Sequence, residues 1–210
     1  MATQPPWKDP RYLAVGTPRQ RRTYALLASL GILTTLRAFD PVVVGTIPLD
    51  IDLPSSDIDI ICEVAPADMP AFEQLLRTHF GHRPAFRAGG AASASGPALV
   101  SSFRYLEAEL EVFGQALPTA QQYAFRHLVV EHAVLRAGGA AWRAAVRHLK
   151  ARGLKTEPAF AALLYLPGNP YEAVLALENL APAALAARLA QVPLPGGPSQ
   201  NQHLGPAEAS

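Results

Sequence analysis

The chain has 210 residues, half of them hydrophobic, with 18 Lys and Arg against 17 Asp and Glu for a formal net charge of +1. That is long enough for one well-packed core and too apolar for a disordered polymer. The near-neutral total argues against a general nucleic-acid or membrane-surface binder, and no run approaches the roughly 20 apolar residues that a bilayer helix needs.

Residues 1–16 are Pro-rich and expected to be loose; the opening Met1 to Lys8 has no apolar stretch of the signal-peptide kind. Thr17-Pro18 starts a helix, with Thr17 as N-cap and Pro in the first turn. Tyr24, Leu27, Leu30, Leu33 and Leu36 give it an apolar face at helical spacing. Asp40-Pro41 ends it. The β-branched run Val42-Val43-Val44 predicts a strand that stops at Gly45. From Ile47 to Leu53 apolar and polar residues alternate, which predicts a short strand or hairpin arm with Asp50 and Asp52 on one face. Ile58 to Val64 predicts a buried strand. It includes Cys62, the only cysteine, which excludes an internal disulfide and points to a reducing cytosol and a buried structural thiol.

A second helix begins at Ala67-Asp68 and carries Phe72, Leu75, Leu76 and Phe80. Phe86 starts a short strand, and the Gly/Ala/Ser stretch from Gly89 to Gly96 reads as a mobile loop. Leu99 to Leu106 and Glu109 to Phe113 are the next strands. In the second, Glu109 and Glu111 face one way and Leu110 and Val112 the other. The rest is helical. Thr119 and Gln122 have the spacing of a capping box, and Phe125, Leu128, His132 and Leu135 form a face that Gly138-Gly139 closes. A helix from about Ala141 to Ala151 places Trp142, Val146 and Leu149 inward and Arg143, Arg147 and Lys150 toward solvent. Shorter helices follow over Pro158–Leu166, Tyr171–Leu180 and Pro182–Leu189. Residues 191–210 are rich in Pro, Gly, Ser and Gln and read as a disordered tail. The main domain is therefore 17–190, with a sheet core over about 17–115 and a helical part over about 118–190.

The chemistry concentrates at Asp57-Ile58-Asp59. Side chains two apart on a strand share a face, so both carboxylates project together while Ile58 and Ile60 project to the core. Two adjacent carboxylates repel unless a cation shares them. Mg²⁺ is the natural guest, because it takes hard oxygen ligands from one or two carboxylates plus substrate phosphates. Gly45 allows the backbone close approach to a phosphate, and Thr46 adds an N–H and a hydroxyl. A third carboxylate is needed to hold two ions and a nucleophile; Glu111 is the choice, with Glu109 as the alternative on the same face. Between Asp40 and Gln74 there are eight acids and no Lys or Arg, whereas Thr119 to Glu157 is rich in bases, a distribution that suits a metal–nucleotide complex. Lys155, before a helix start, and Gln115, after the third strand, are candidate substrate contacts. Asp50 and Asp52 are a weaker option for a second metal, His127 reads as a surface partner of Glu131, and His132 as a satisfied core histidine.

Val44-Gly45-Thr46, a ten-residue gap (47–56) and Asp57-Ile58-Asp59-Ile60 resemble the signature of the nucleotidyltransferase superfamily with the DNA polymerase beta-like fold. More closely, five ordered segments resemble an uncharacterised bacterial domain-of-unknown-function family assigned to it. These are Asp40 to Pro48, Ser56 to Cys62, Glu111 to Gln115, Tyr123 to His127 and Gly153 to Phe160. The resemblance implies an α/β (α+β) fold, with a mixed β-sheet flanked by helices and a helical C-terminal half. It implies Mg²⁺ or Mn²⁺ held by Asp57, Asp59 and Glu111, and substrate contacts from Gly45, Thr46, Ser56, Gln115, Arg126 and Lys155. The implied reaction moves a nucleoside monophosphate from a nucleoside triphosphate to a hydroxyl acceptor. The alternatives are a metal-dependent phosphoester or nucleotide hydrolase, or a non-catalytic nucleotide- or partner-binding member of the fold. One difference from the superfamily is that Ile47 to Asp52 follow Gly-Thr where a helix usually starts.

Overall fold

The computed structural model describes residues 7–93 and 96–194. Its centre is a five-stranded mixed sheet in the order β1-β2-β5-β4-β3. The strands are β1 (Val42–Val44), β2 (Ile58–Glu63), β3 (Arg87–Ser93), β4 (Gly96–Tyr105) and β5 (Ala108–Gln115). β2 and β5 are parallel, and the remaining pairs are antiparallel. Both faces are covered, as a sheet with a parallel central pair requires.

Alternation along β2 and β5 sorts the side chains. Ile58, Ile60, Cys62, Leu110 and Val112 are buried against α2 (Pro18–Leu30), α3 (Ile32–Thr35) and α4 (Met69–Phe80). The opposite face carries Val42, Val44 and Ile61 into a second core with α5 (Tyr123–Ala151), α6 (Thr156–Leu163), α7 (Pro170–Leu175) and α8 (Pro182–Ala190). Asp59 and Glu111 share that second face. The carboxylates therefore look toward the C-terminal helices, and a cavity lies between them.

Several expectations hold locally. Thr17 caps α2 in a full capping box with Gln20, and β1 covers the three valines. Others need correction. Trp7 is buried in the core, and Arg11–Ala14 form a short helix, α1, so this part of the lead-in is packed rather than loose. The first long helix stops at Gly31 instead of Asp40. No capping box forms at Thr119: its hydroxyl donates to the Asp40 carboxylate, while the Gln122 amide donates to the carbonyls of Cys62 and Leu117, each at 2.9 Å. Gly89 to Ser93 belong to β3, an edge strand whose small side chains pair with β4. The tail beyond Leu194 lies outside the described residues.

Ile47 to Leu53 is not a strand but a series of turns with Asp50 in the left-handed region (φ 55°). Ile47, Leu49 and Ile51 are buried, so the alternation reflects packing of a folded loop. Two helices clamp it. From α2, Gln20 donates to the carbonyls of Ile47 and Pro48, both at 3.0 Å. From α5, Arg147 pairs with the Asp50 carboxylate at 2.6 Å and Lys150 donates to the Ile51 carbonyl at 3.0 Å. The helical backbone of α5 breaks at Gly139 (φ 67°, ψ −154°), a combination that side-chain-bearing residues avoid. The two halves of α5 thus correspond to the two expected helices.

Candidate functional site

Register builds the acidic cluster. Asp59 is paired with Val44 on one side and with Glu111 on the other, so the two carboxylates are neighbours across a parallel ladder. Asp57, exposed, stands just before β2 on the same side. Burial together with Asp57 and Glu111 drives the Asp59 carboxyl up to about 7, against a modest lowering by Lys150. Glu111 is also raised, by burial, Asp57 and Glu109. The group is short of positive charge.

Gly45 makes room for it. Its φ is +79°, and a Cβ there would lie 2.1 Å from Asp59 Oδ2. No side chain fits between the Gly45 backbone and that oxygen. Beyond it, Thr46 Oγ1 lies 3.4 Å from Ser56 Oγ, and Ser56 Oγ accepts from the Leu53 N–H at 2.9 Å. These bonds bring the two ends of the clamped loop together beside the carboxylates.

A cavity of about 650 Å³ lies over this face. Gly45, Thr46, Ser56, Asp57, Asp59, Glu111, Gln115 and Lys155 all line it. Glu111 rather than Glu109 reaches it; Glu109 is exposed, beside Arg104 on β4. Gln115 is buried and accepts from the Ser93 hydroxyl at 3.0 Å. Arg126 is elsewhere: it forms a two-pronged pair with Glu178, both contacts at 2.9 Å, and lines a separate, mainly apolar hollow of about 1140 Å³. Asp50 and Asp52 are engaged by Arg147 and Arg19 and do not line the carboxylate cavity.

The helical wall holds the residues that sequence reasoning misplaced. Lys150, expected in solvent, is buried and lines the cavity; burial lowers its pKa, opposed chiefly by Glu131. His127 and Glu131 are buried too, because the inward face of α5 runs through His127, Leu128, Glu131, Val134 and Leu135. A signal was present: His127 and Glu131 stand four apart, in phase with Leu128 and Leu135. His132, by contrast, is half-buried and packs edge-on to Trp7 with ring centres 5.0 Å apart.

A stability prediction follows from the Asp59 shift. Asp57 just before β2, Glu111 on β5, Lys150 on α5 and Glu157 on α6 face this carboxyl. Its folded pKa of about 7 exceeds the ordinary 3.8, so its contribution to stability is fully present below 3.8 and is lost as pH rises through 7. Without divalent metal, this group should remove on the order of 4 kcal/mol at most over that window. Denaturant titrations in chelator from about pH 4 to 8 should show Asp59→Asn with a shallower decline than the parent. A decline unchanged by that substitution would contradict the crowding. Glu131, raised well above its usual value by burial and Glu157, adds a decline of the same sign in both proteins.

The fold has relatives among solved structures. The chain is 13% identical to Cid1 in a structure described by its RNA terminal uridylyl transferase activity, with a TM-score of 0.53 over 80% of this chain and 64% of that one. A cytoplasmic RNA terminal U-transferase gives 14% identity and a TM-score of 0.52, covering 82% and 65%. Cid1 poly(U) polymerase with MgGTP bound gives 12% and 0.50, covering 76% and 49%. The chain spans about half to two thirds of the length of these proteins, and the likeness establishes a nucleotidyltransferase-type fold. No curated protein matches it. No described helix is long and apolar enough to cross a membrane. Residues 25–177 match the model of one family, described as Domain of unknown function (DUF4269), and the chain belongs to that family.

Proposed function

We propose that this protein is a Mg²⁺- or Mn²⁺-dependent nucleotidyltransferase that moves a nucleoside monophosphate from a nucleoside triphosphate to a hydroxyl acceptor. The observation that carries the reading is the register pairing of Asp59 with Glu111 beside the Cβ-free surface of Gly45, with Asp57 on the same side. The donor set fits a hard divalent cation: oxygen ligands only, crowded enough to raise Asp59 to about 7. Asp57, Asp59 and Glu111 would hold it. Bound there, the metal would supply charge neutralisation and orientation of the phosphates.

The chain's own groups divide the remaining work. The Gly45–Thr46 backbone and the Thr46 and Ser56 hydroxyls border the phosphate position. Lys150 and Lys155 bring positive charge to the same cavity. Lys155 directly precedes α6, whose first N–H groups also favour anions. In the reaction the acceptor oxygen bonds to the α-phosphorus, and the bond from that phosphorus to the α,β-bridging oxygen breaks. Pyrophosphate leaves with that electron pair, and Glu111 would take the acceptor's proton. The sheet part, about 17–115, supplies the carboxylates and the helical part, about 118–190, the cations. A reducing cytosol, suggested by the single buried Cys62, belongs to the same proposal.

Incubation with labelled nucleoside triphosphates, Mg²⁺ and candidate RNA, protein and small-molecule acceptors tests the reading. Pyrophosphate together with a labelled acceptor supports transfer. Nucleotide breakdown without a labelled acceptor would replace it with the hydrolase reading, and binding without product with a non-catalytic role. Lys155→Ala should weaken nucleotide binding by about tenfold, or roughly 1.4 kcal/mol. Arg147→Ala should act instead on stability, since Arg147 secures the Asp50 turn. Equal small effects on nucleotide binding would remove Lys155 from the site.

A further inference from the structure

On the helical wall of the same cavity, three side chains offer ligand atoms that all lie within 4.8 Å of one another: His127, Glu131 and Glu157. His127 and Glu131 are one turn apart on α5, and Glu157 is in the first turn of α6. The His127 and Glu131 side chains are only 7% and 5% exposed, with His127 Nδ1 4.0 Å from Glu131 Oε1. Both imidazole nitrogens and Glu131 Oε1 are buried without a hydrogen-bond partner. Burying such groups without a partner is unfavourable, more so when they are charged, so the arrangement calls for a guest.

We propose that His127, Glu131 and Glu157 form a second metal site, distinct from the strand carboxylates, that takes a borderline divalent ion of the Zn²⁺ class. The donor set separates it from the Asp57–Asp59 position. Imidazole with carboxylates suits Zn²⁺, whereas all-oxygen sets suit Mg²⁺. Tetrahedral Zn²⁺ with bonds near 2.1 Å places its ligand atoms about 3.4 Å apart. A contraction of the present spacing within side-chain reach closes three positions and leaves the cavity side for water or substrate. The ion would join α5 to the start of α6 and so fix Lys155 and Thr156 at the cavity rim. It would also answer a charge imbalance: Asp57, Asp59, Glu111, Glu131 and Glu157 line one cavity with Lys150 and Lys155.

The proposal stands apart from nucleotide chemistry and is tested without nucleotide, by Zn²⁺ titration of the full chain against a chromophoric chelator. His127→Gln, Glu131→Gln and Glu157→Gln should each weaken one Zn²⁺ equivalent by at least the ~10–100-fold that loss of even an outer partner costs. Asp59→Asn should retain that equivalent. Circular dichroism checks folding, and Glu157→Gln, at a half-buried helix start, keeps the test valid if a buried substitution fails to fold. Zn²⁺ affinity unchanged in Glu157→Gln and in whichever buried variants fold would overturn the site. So would loss of the equivalent in Asp59→Asn, or no Zn²⁺ binding by the parent chain.

Discussion

Asp57→Asn and Asp59→Asn should each abolish metal-dependent nucleotide turnover while leaving the fold intact. The Asp59 side chain faces the cavity from the middle of the sheet, between Val44 and Glu111, and its amide isostere fills the same volume. What is lost is the negative charge that would hold the proposed cation. Removing one preorganised electrostatic contact to a transition state costs about 10²–10³-fold in rate, and loss of a shared metal ligand should cost at least that much. Stability of the metal-free protein should rise, because mutual repulsion within the cluster falls. Mg²⁺-dependent turnover in both variants within a few-fold of the parent would remove the aspartates from the chemistry.

Gly45→Ala should be nearly as damaging, for a reason that involves no charge. The backbone there has φ +79°, and the added methyl would lie 2.1 Å from Asp59 Oδ2. Left-handed geometry costs an alanine roughly 1–2 kcal/mol, and the clash must be relieved by turning the Asp59 carboxylate or shifting the loop. The clamps from Gln20, Arg147 and Lys150 resist loop movement, so the carboxylate should turn. The expected outcome is a protein with a modestly lowered unfolding midpoint and metal affinity reduced about as far as in Asp59→Asn. Parent-like Mn²⁺ affinity in Gly45→Ala would show that Asp59 does not need its present orientation.

The sheet face of the site was legible because strands enforce a two-residue period. Val42–Val44, Asp57-Ile58-Asp59 and Glu109–Glu111 carry their facing in their spacing, and the parallel pairing of β2 with β5 brought Asp59 to Glu111. Local pattern failed where long-range contacts decide. Ile47–Leu53 alternates like a strand, yet Pro48 and the left-handed Asp50 make turns that α2 and α5 hold. Lys150 resembled its neighbours Arg143 and Arg147, and only the position of Ile51, 99 residues earlier, explains its burial. Gly89 to Ser93 lacks strand formers but pairs with β4 over its whole length. Arg126 had a partner, Glu178, 52 residues away. His127 and Glu131 were phased inward by Leu128 and Leu135, but polar side chains on a core face are legible as a site only once the cavity is known.

A crystal structure with Mn²⁺ and a non-hydrolysable nucleoside triphosphate is the most direct measurement. An anomalous peak within roughly 2.5 Å of the Asp57 and Asp59 carboxylates, with the triphosphate along Gly45–Thr46 and its outer phosphates toward Lys155, is the expected result. Nucleotide bound in the Arg126–Glu178 hollow, or beside Gly45 with no metal at the aspartates, would contradict the assignment of this cavity as a metal-dependent nucleotidyl-transfer site.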